Sequence, residues 1–267
     1  MIDAIRVAPG STPRLAERDP GDDLGLGSKN AAKGLRDDLA ERLSMLQGRL
    51  FAEGARSVLV VLQGLDAAGK DGVIRSVFKG VNPMGVHVVS FRAPTEKERA
   101  HDYLWRIHAE LPSRGHVGVF NRSHYEDVVA VRMHALAPEE VWRRRPGHIR
   151  DWERMLVEEG TTVVKVFLNV SREEQRERFQ ERIDDPEKRW KFRTADLDVR
   201  ERFDAYLAAW DEVIHETSTE WAPWHVVPAD RNWVKSTAVA SLVVDTLELL
   251  DPRLPEPEPG IEGLVIR

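Results

Sequence analysis

The chain has 267 residues, of which 42% are hydrophobic and 31% charged, with a formal net charge of −6 and no cysteine. That length suits one large α/β domain with a terminal extension or two small domains, and the missing cysteines exclude disulfides, thiolate zinc sites and cysteine nucleophiles. The acidic balance argues against a nucleic-acid partner, no apolar run approaches the roughly 18 to 20 residues of a membrane span, and the opening MIDAIRVAPG does not read as a secretory signal, so the cytoplasm is the expected location.

Residues 1–30, rich in Pro, Gly and Asp from 8 to 27, predict an irregular N-terminal arm. Five short Val-rich runs follow at 57–64, 87–91, 115–121, 161–170 and 224–229, as expected of strands buried on both faces. Helical composition and spacing fall at 70–80, 95–111, 138–159, 171–183, 196–217 and 233–249. The alternation predicts a three-layer α/β/α sandwich around a five-stranded parallel sheet over residues 31–250, then a tail at 251–267. In such sheets ligands bind at the carboxyl ends of the strands, so the residues after each strand carry the functional reading.

After the first strand comes Gly64-Leu65-Asp66-Ala67-Ala68-Gly69-Lys70, a glycine-rich loop opening a helix at Lys70. Glycines let backbone amides turn inward on phosphate, the helix N-terminus adds partial positive charge, and Lys70 adds a full one. Where such loops carry a Ser or Thr for magnesium, this chain has Asp71, with a second carboxylate at Asp66. Asp71 suits the helix dipole first and a metal second.

After the third strand comes FNRSHYEDV, 120–128. Arg122 projects from the sheet edge, where a guanidinium can grip phosphate oxygens. Glu126 admits two readings: capping-box partner of Ser123, or a functional carboxylate beside Asp127. After the fourth strand a helix is expected to end near Pro186, followed by a basic loop interleaved with Trp190 and Phe192, in the place where nucleotide kinases carry a mobile lid, about 176–196. A solvated charged face is the alternative for that loop, and the simpler reading for WRRRPGHIR at 142–150. His101 and His108 lack partners spaced for metal, and Trp152, Trp210 and Trp233 read as packing residues.

Together GLDAAGKDG, FNRSHYEDV and RIDDPEKRWKF, in that order, make the chain resemble the polyphosphate kinase 2 family over roughly 30–250. The resemblance implies a thymidylate-kinase-like P-loop fold with a helical lid, and reversible phosphoryl transfer between inorganic polyphosphate and a nucleotide. It implies magnesium dependence, with manganese as a substitute, and a homodimer or homotetramer. Asp66, Lys70, Arg122 and Glu126 become the implied catalytic residues, with Asp66 and Asp127 on the metal. Gly64, Ala67, Ala68, Gly69, Asp71, Gly72, Asn121 and Arg182 are the implied phosphate and nucleotide contacts, and Arg75, Lys79 and Lys188 line the polyphosphate path. His124 to Asp127 stand where many members have Trp-Tyr-Asn-Arg, which resembles the class III branch that accepts both AMP and ADP, with ATP as product. The competing readings are an ATP-dependent nucleoside monophosphate kinase and a non-catalytic polyphosphate- or nucleotide-binding module.

Overall fold

The computed structural model describes residues 1–261 and 263–266; within the expected tail, Glu262 and Arg267 lie outside the described residues. Among the described residues six strands form one sheet: β1 (Arg6–Val7), β2 (Ser57–Gly64), β3 (Val86–Ser90), β4 (Val117–Asn121), β5 (Thr161–Asn169) and β6 (Trp224–Pro228), in the order β1-β6-β5-β2-β4-β3. The five strands anticipated from Val-rich runs are all present, and they pair in parallel. The sheet as a whole is mixed and six-stranded, because β1 pairs antiparallel with β6, Arg6 opposite His225 and Val7 opposite Trp224. Two residues are too few for a periodic signal, so β1 went unread and the opening segment read as wholly irregular. Ile5, Val7 and Leu15 of that segment are buried in the core.

A long helix, α1 (Lys33–Glu53), follows and buries Leu39, Leu43, Leu46 and Leu50, spaced to fall on one face. It ends at Gly54, whose left-handed backbone (φ 64°) lets its N–H bond Leu50 O, a helix-closing turn that favours glycine. The remaining long helices are α2 (Lys70–Val77), α3 (Glu126–Met133), α4 (Arg145–Glu158), α5 (Arg172–Asp184), α6 (Phe203–Thr217) and α7 (Asn232–Leu250). Helices α1 and α2 pack on α7, and α4 and α6 pack together on the other side of the sheet. The span 95–111, expected as one helix, holds two four-residue turns, Glu96–Arg99 and Trp105–His108. Asp102 breaks it by accepting from the amides of Leu104 and Trp105, a side-chain cap that starts a new turn. No helix among the described residues is long and apolar enough to cross a membrane.

Strand β2 is buried along its whole length between β4 and β5. The chain adds β3 and β4 on one side of it, then β5 and β6 on the other, so the direction of winding reverses at the carboxyl end of β2. Such a reversal opens a crevice, and the Gly64–Lys70 loop leaves the sheet there.

Candidate active site

The loop runs from Gly64 (φ 148°) through Ala67 (φ 63°) and Gly69 (φ 97°). A Cβ at Gly64 would lie 2.7 Å from the backbone oxygen of Leu168, so that position excludes a side chain by space as well as by backbone, while at Gly69 the left-handed backbone favours glycine and a Cβ would displace Lys235 Nζ, 2.3 Å away. Ala67 holds its left-handed conformation at a cost of about 1 kcal/mol or more, which surrounding contacts must offset. Those contacts fall on the carbonyls. Gln175 donates to Asp66 O (3.0 Å), Arg178 to Ala67 O and Ala68 O (2.9 and 3.0 Å), and Lys235 to Ala68 O (2.8 Å). With the Asp66, Ala67 and Ala68 carbonyls engaged by these side chains, the amides at the start of α2 are free to face an anion.

Lys70 is buried and folds back over this loop, donating to Gly64 O (2.6 Å) and Leu65 O (3.2 Å). Burial, and then the Arg122 cation, lower its pKa to about 8. Arg122 follows β4 with a left-handed backbone (φ 64°), its amide bonding Leu62 O (3.1 Å), so its side chain turns across the end of β2. There it forms an ion pair with Asp66, and Glu126 Oε2 lies 4.0 Å from its other terminal nitrogen. Two carboxylates and two cations thus meet at the loop. Desolvation raises the Glu126 pKa, with Arg122 and Lys70 opposing it.

Of the two readings of Glu126, the structure disposes of the cap: α3 has no side-chain cap, and Ser123 Oγ accepts instead from the Tyr125 amide (3.3 Å). The Gln63 amide, oriented so that its oxygen accepts from Ser123 N and Oγ, donates to Glu126 Oε1 at 3.0 Å and fixes that carboxylate. Asp127 is drawn elsewhere: Arg106 NH2 donates to it at 3.1 Å, and the pair is mostly buried. Asn121 donates to Asp71 Oδ1 (2.7 Å) and Ser90 Oγ (3.3 Å), linking the start of α2 to the ends of β3 and β4.

The remaining predicted residues ring this centre. Arg75 and Lys79 are exposed beyond it, Arg75 in the last turn of α2. Gly72 is exposed in its first turn. Arg182 sits in the last turn of α5, its guanidinium over Phe179 (5.4 Å), while Lys188 pairs with Asp185 (3.0 Å) in the segment beyond. That segment closes its own turn at Arg189–Lys191 and leaves Trp190 three-quarters exposed. It returns to the centre at Asp196, whose carboxyl pKa is raised by burial and by the Asp66 charge.

Gln63, Arg106, Gln175, Arg178 and Lys235 escaped the sequence reading. Their signal was a polar residue in an otherwise apolar setting, such as Gln63 in VLVVLQG and Lys235 on the inner face of α7.

An amide-lined loop with a buried lysine, a guanidinium and two carboxylates is suited to binding and moving phosphate. The comparisons with known proteins narrow that class. The family model for polyphosphate kinase 2 matches residues 27–255, and the chain belongs to that family. It is 52% identical over 98% of both chains to a Meiothermus ruber protein named AMP/ADP-polyphosphate phosphotransferase. It is 46% identical, over 82% of this chain and 80% of the other, to a Rhodopseudomonas palustris ADP-polyphosphate phosphotransferase. The crystal structure of polyphosphate kinase 2 from Arthrobacter aurescens TC1 superposes with a TM-score of 0.91 at 42% identity, covering 96% of this chain and 92% of that one.

Proposed function

We propose that this protein is a Mg2+-dependent kinase of P-loop type that transfers phosphoryl groups reversibly between inorganic polyphosphate and AMP or ADP. The observation that carries it is the meeting of Lys70, Arg122, Asp66 and Glu126 on the Gly64–Lys70 loop. The relatives' names supply the substrates: the two just described act on ADP with polyphosphate, and one of them on AMP as well.

In this reading Lys70 and Arg122 hold the polyphosphate end and neutralise the charge that builds on the transferring phosphoryl. The accepting nucleotide oxygen is already ionised, so positioning dominates and no strong general base is needed. Asp66 and Glu126 are hard oxygen donors flanking one cation, which fits Mg2+ bound by two carboxylates and completed by phosphate oxygens. When bound, Mg2+ supplies charge neutralisation between the phosphates. Asp127, expected as a second ligand, is paired with Arg106 and is assigned here to holding the 121–127 segment.

Arg182 and Lys188 belong in this reading to a lid over the nucleotide, and Arg75 and Lys79 to the outward path of the polymer. We place the enzyme in the cytoplasm as a homodimer or homotetramer. The deciding experiment follows nucleotides over time from AMP, polyphosphate and Mg2+. Successive ADP and ATP support the proposal; phosphorylation with ATP but not polyphosphate as donor would assign the chain instead to the monophosphate kinases.

A further inference from the structure

The Gly64–Lys70 loop is held from behind by side chains of two helices that no motif reading singled out. Starting at Asp66, three consecutive carbonyls point away from the crevice, and each accepts from a side chain: Asp66 O from Gln175, Ala67 O from Arg178, Ala68 O from both Arg178 and Lys235. The next carbonyl, Gly69 O, accepts from the Val73 amide inside α2. Gln175 is fully buried, Lys235 is 1% exposed and the Arg178 side chain 12%.

Arg178 spends all five of its N–H donors. Besides the two loop carbonyls it reaches Glu174 Oε1 (2.9 Å), Ala229 O (2.8 Å) and Asp230 O (2.7 Å). Lys235 bridges the same two segments, from Ala68 O to Ala229 O (3.2 Å). The loop is therefore pinned to the carboxyl end of β6 by two cations. A folded chain rarely commits two mostly buried cations to backbone carbonyls without return, because desolvating them is costly.

We infer that Gln175, Arg178 and Lys235 are positioning residues for phosphoryl transfer, which hold the Asp66, Ala67 and Ala68 carbonyls from behind so that the amides at the start of α2 face the phosphate before substrate arrives. The left-handed backbone at Ala67 and the packing of Lys235 Nζ against Gly69 are the local consequences. Helix α5 also carries Arg182 one turn beyond Arg178, so the grip that sets the loop also sets the base of the basic segment. The inference rests on the reading of the loop as a phosphate cradle.

Lys235→Met is the most discriminating variant. It keeps most of the unbranched side chain, one atom shorter and without the charge, and both carbonyls that lose the ammonium still accept from Arg178, so neither is left unpaired. With the full-length protein, tripolyphosphate binding is measured by titration calorimetry, alongside kcat, the KM for tripolyphosphate, the KM for ADP and Tm. The expected result is an about ten- to a hundred-fold loss of tripolyphosphate affinity and of kcat, with Tm within a few degrees and the KM for ADP nearly unchanged. Arg178→Met should lose more than Arg178→Lys, which can still reach one carbonyl. Wild-type affinity and turnover in Lys235→Met would overturn the inference. So would losses that follow Tm alone and fall equally on both substrates, since they mark a purely structural role. A wild-type protein that binds no tripolyphosphate would remove the cradle reading itself and this inference with it.

Discussion

Arg122 and Asp66, 56 residues apart in the chain, are ion-paired across the end of β2. The pair explains how a loop suited to anions tolerates a carboxylate: without substrate the guanidinium neutralises it. In the function proposed above, substrate would draw the guanidinium to phosphate and leave the carboxylate for Mg2+. Asp66→Asn keeps the shape and removes the charge. It is expected to lower turnover about a hundred-fold or more and to weaken the dependence on Mg2+. Initial rates across a Mg2+ series check this, and near-normal turnover with an unchanged metal dependence would refute it.

Glu126 is held by Gln63 and faces Arg122 without capping its helix. Glu126→Asn should therefore leave Tm within a few degrees, where losing a true cap would cost about 1 kcal/mol. The ratio of kcat/KM for AMP to that for ADP should shift instead. A fall in Tm of many degrees with an unchanged ratio would return Glu126 to a structural role.

The parts of the fold that were legible from sequence were those with a repeating signal. Fully buried strands such as β2 declare themselves by unbroken Val and Leu, and the loop after β2 by its glycines. Strand β1 has no period to show, and the helix break at Asp102 depends on a side-chain bond that composition does not reveal. At the site, motif positions were found because local chain order places them together. Arg178 and Lys235 reach the loop from more than 100 residues away, through the packing of α5 and α7, and only the fold brings them there. Asp127 shows the converse: the family resemblance implied a metal ligand, but Arg106, 21 residues earlier, takes the carboxylate.

Lys70 gives the site a basic limb. Its pKa is lowered to about 8, chiefly by burial, so the free enzyme loses this charge as pH rises through that value. In the proposed complex the polyanion would favour the charged form and raise this pKa. The KM for polyphosphate is expected to climb above pH about 8 while kcat at saturation holds to higher pH. Lys70→Arg, charged throughout, should flatten the KM profile. The same burial opposes stability at neutral pH, since both states are protonated there, and is relieved between about 8 and the ordinary 10.5.

His225 contributes to the acid side. It is buried on β6, donates from Nδ1 to Lys165 O (3.2 Å), and is lowered to about 4, mainly by burial. Because the folded value lies below the unfolded one, its contribution is whole above the ordinary 6.5 and is lost as pH falls from there toward 4. The stake is about 3 kcal/mol. Thermal melts of His225→Gln from pH 4 to 7 should show a flatter slope than the wild type; identical slopes would assign the acid loss to other groups.

Beneath the 121–127 segment lies a fully buried ion pair, Lys165 Nζ to Glu153 Oε2 at 2.6 Å, which also binds Tyr125. Lys165 donates further to Thr217 O (2.7 Å), so strand β5 is tied to the end of α6 as well as to α4. Breaking the pair from one side strands a charge in the core, and Lys165→Met alone should cost about 3 to 5 kcal/mol. Removing both charges relieves the stranded-charge part of that penalty, so Lys165→Met with Glu153→Leu should recover part of the loss in denaturant titrations, the rest staying with the buried polar groups that lose partners. Tyr125 stands between Arg122 and Glu126, and the double variant deprives its hydroxyl of both partners. Turnover in that variant should therefore stay depressed while stability partly returns. Recovery of both together would show that the segment is set by its apolar packing alone.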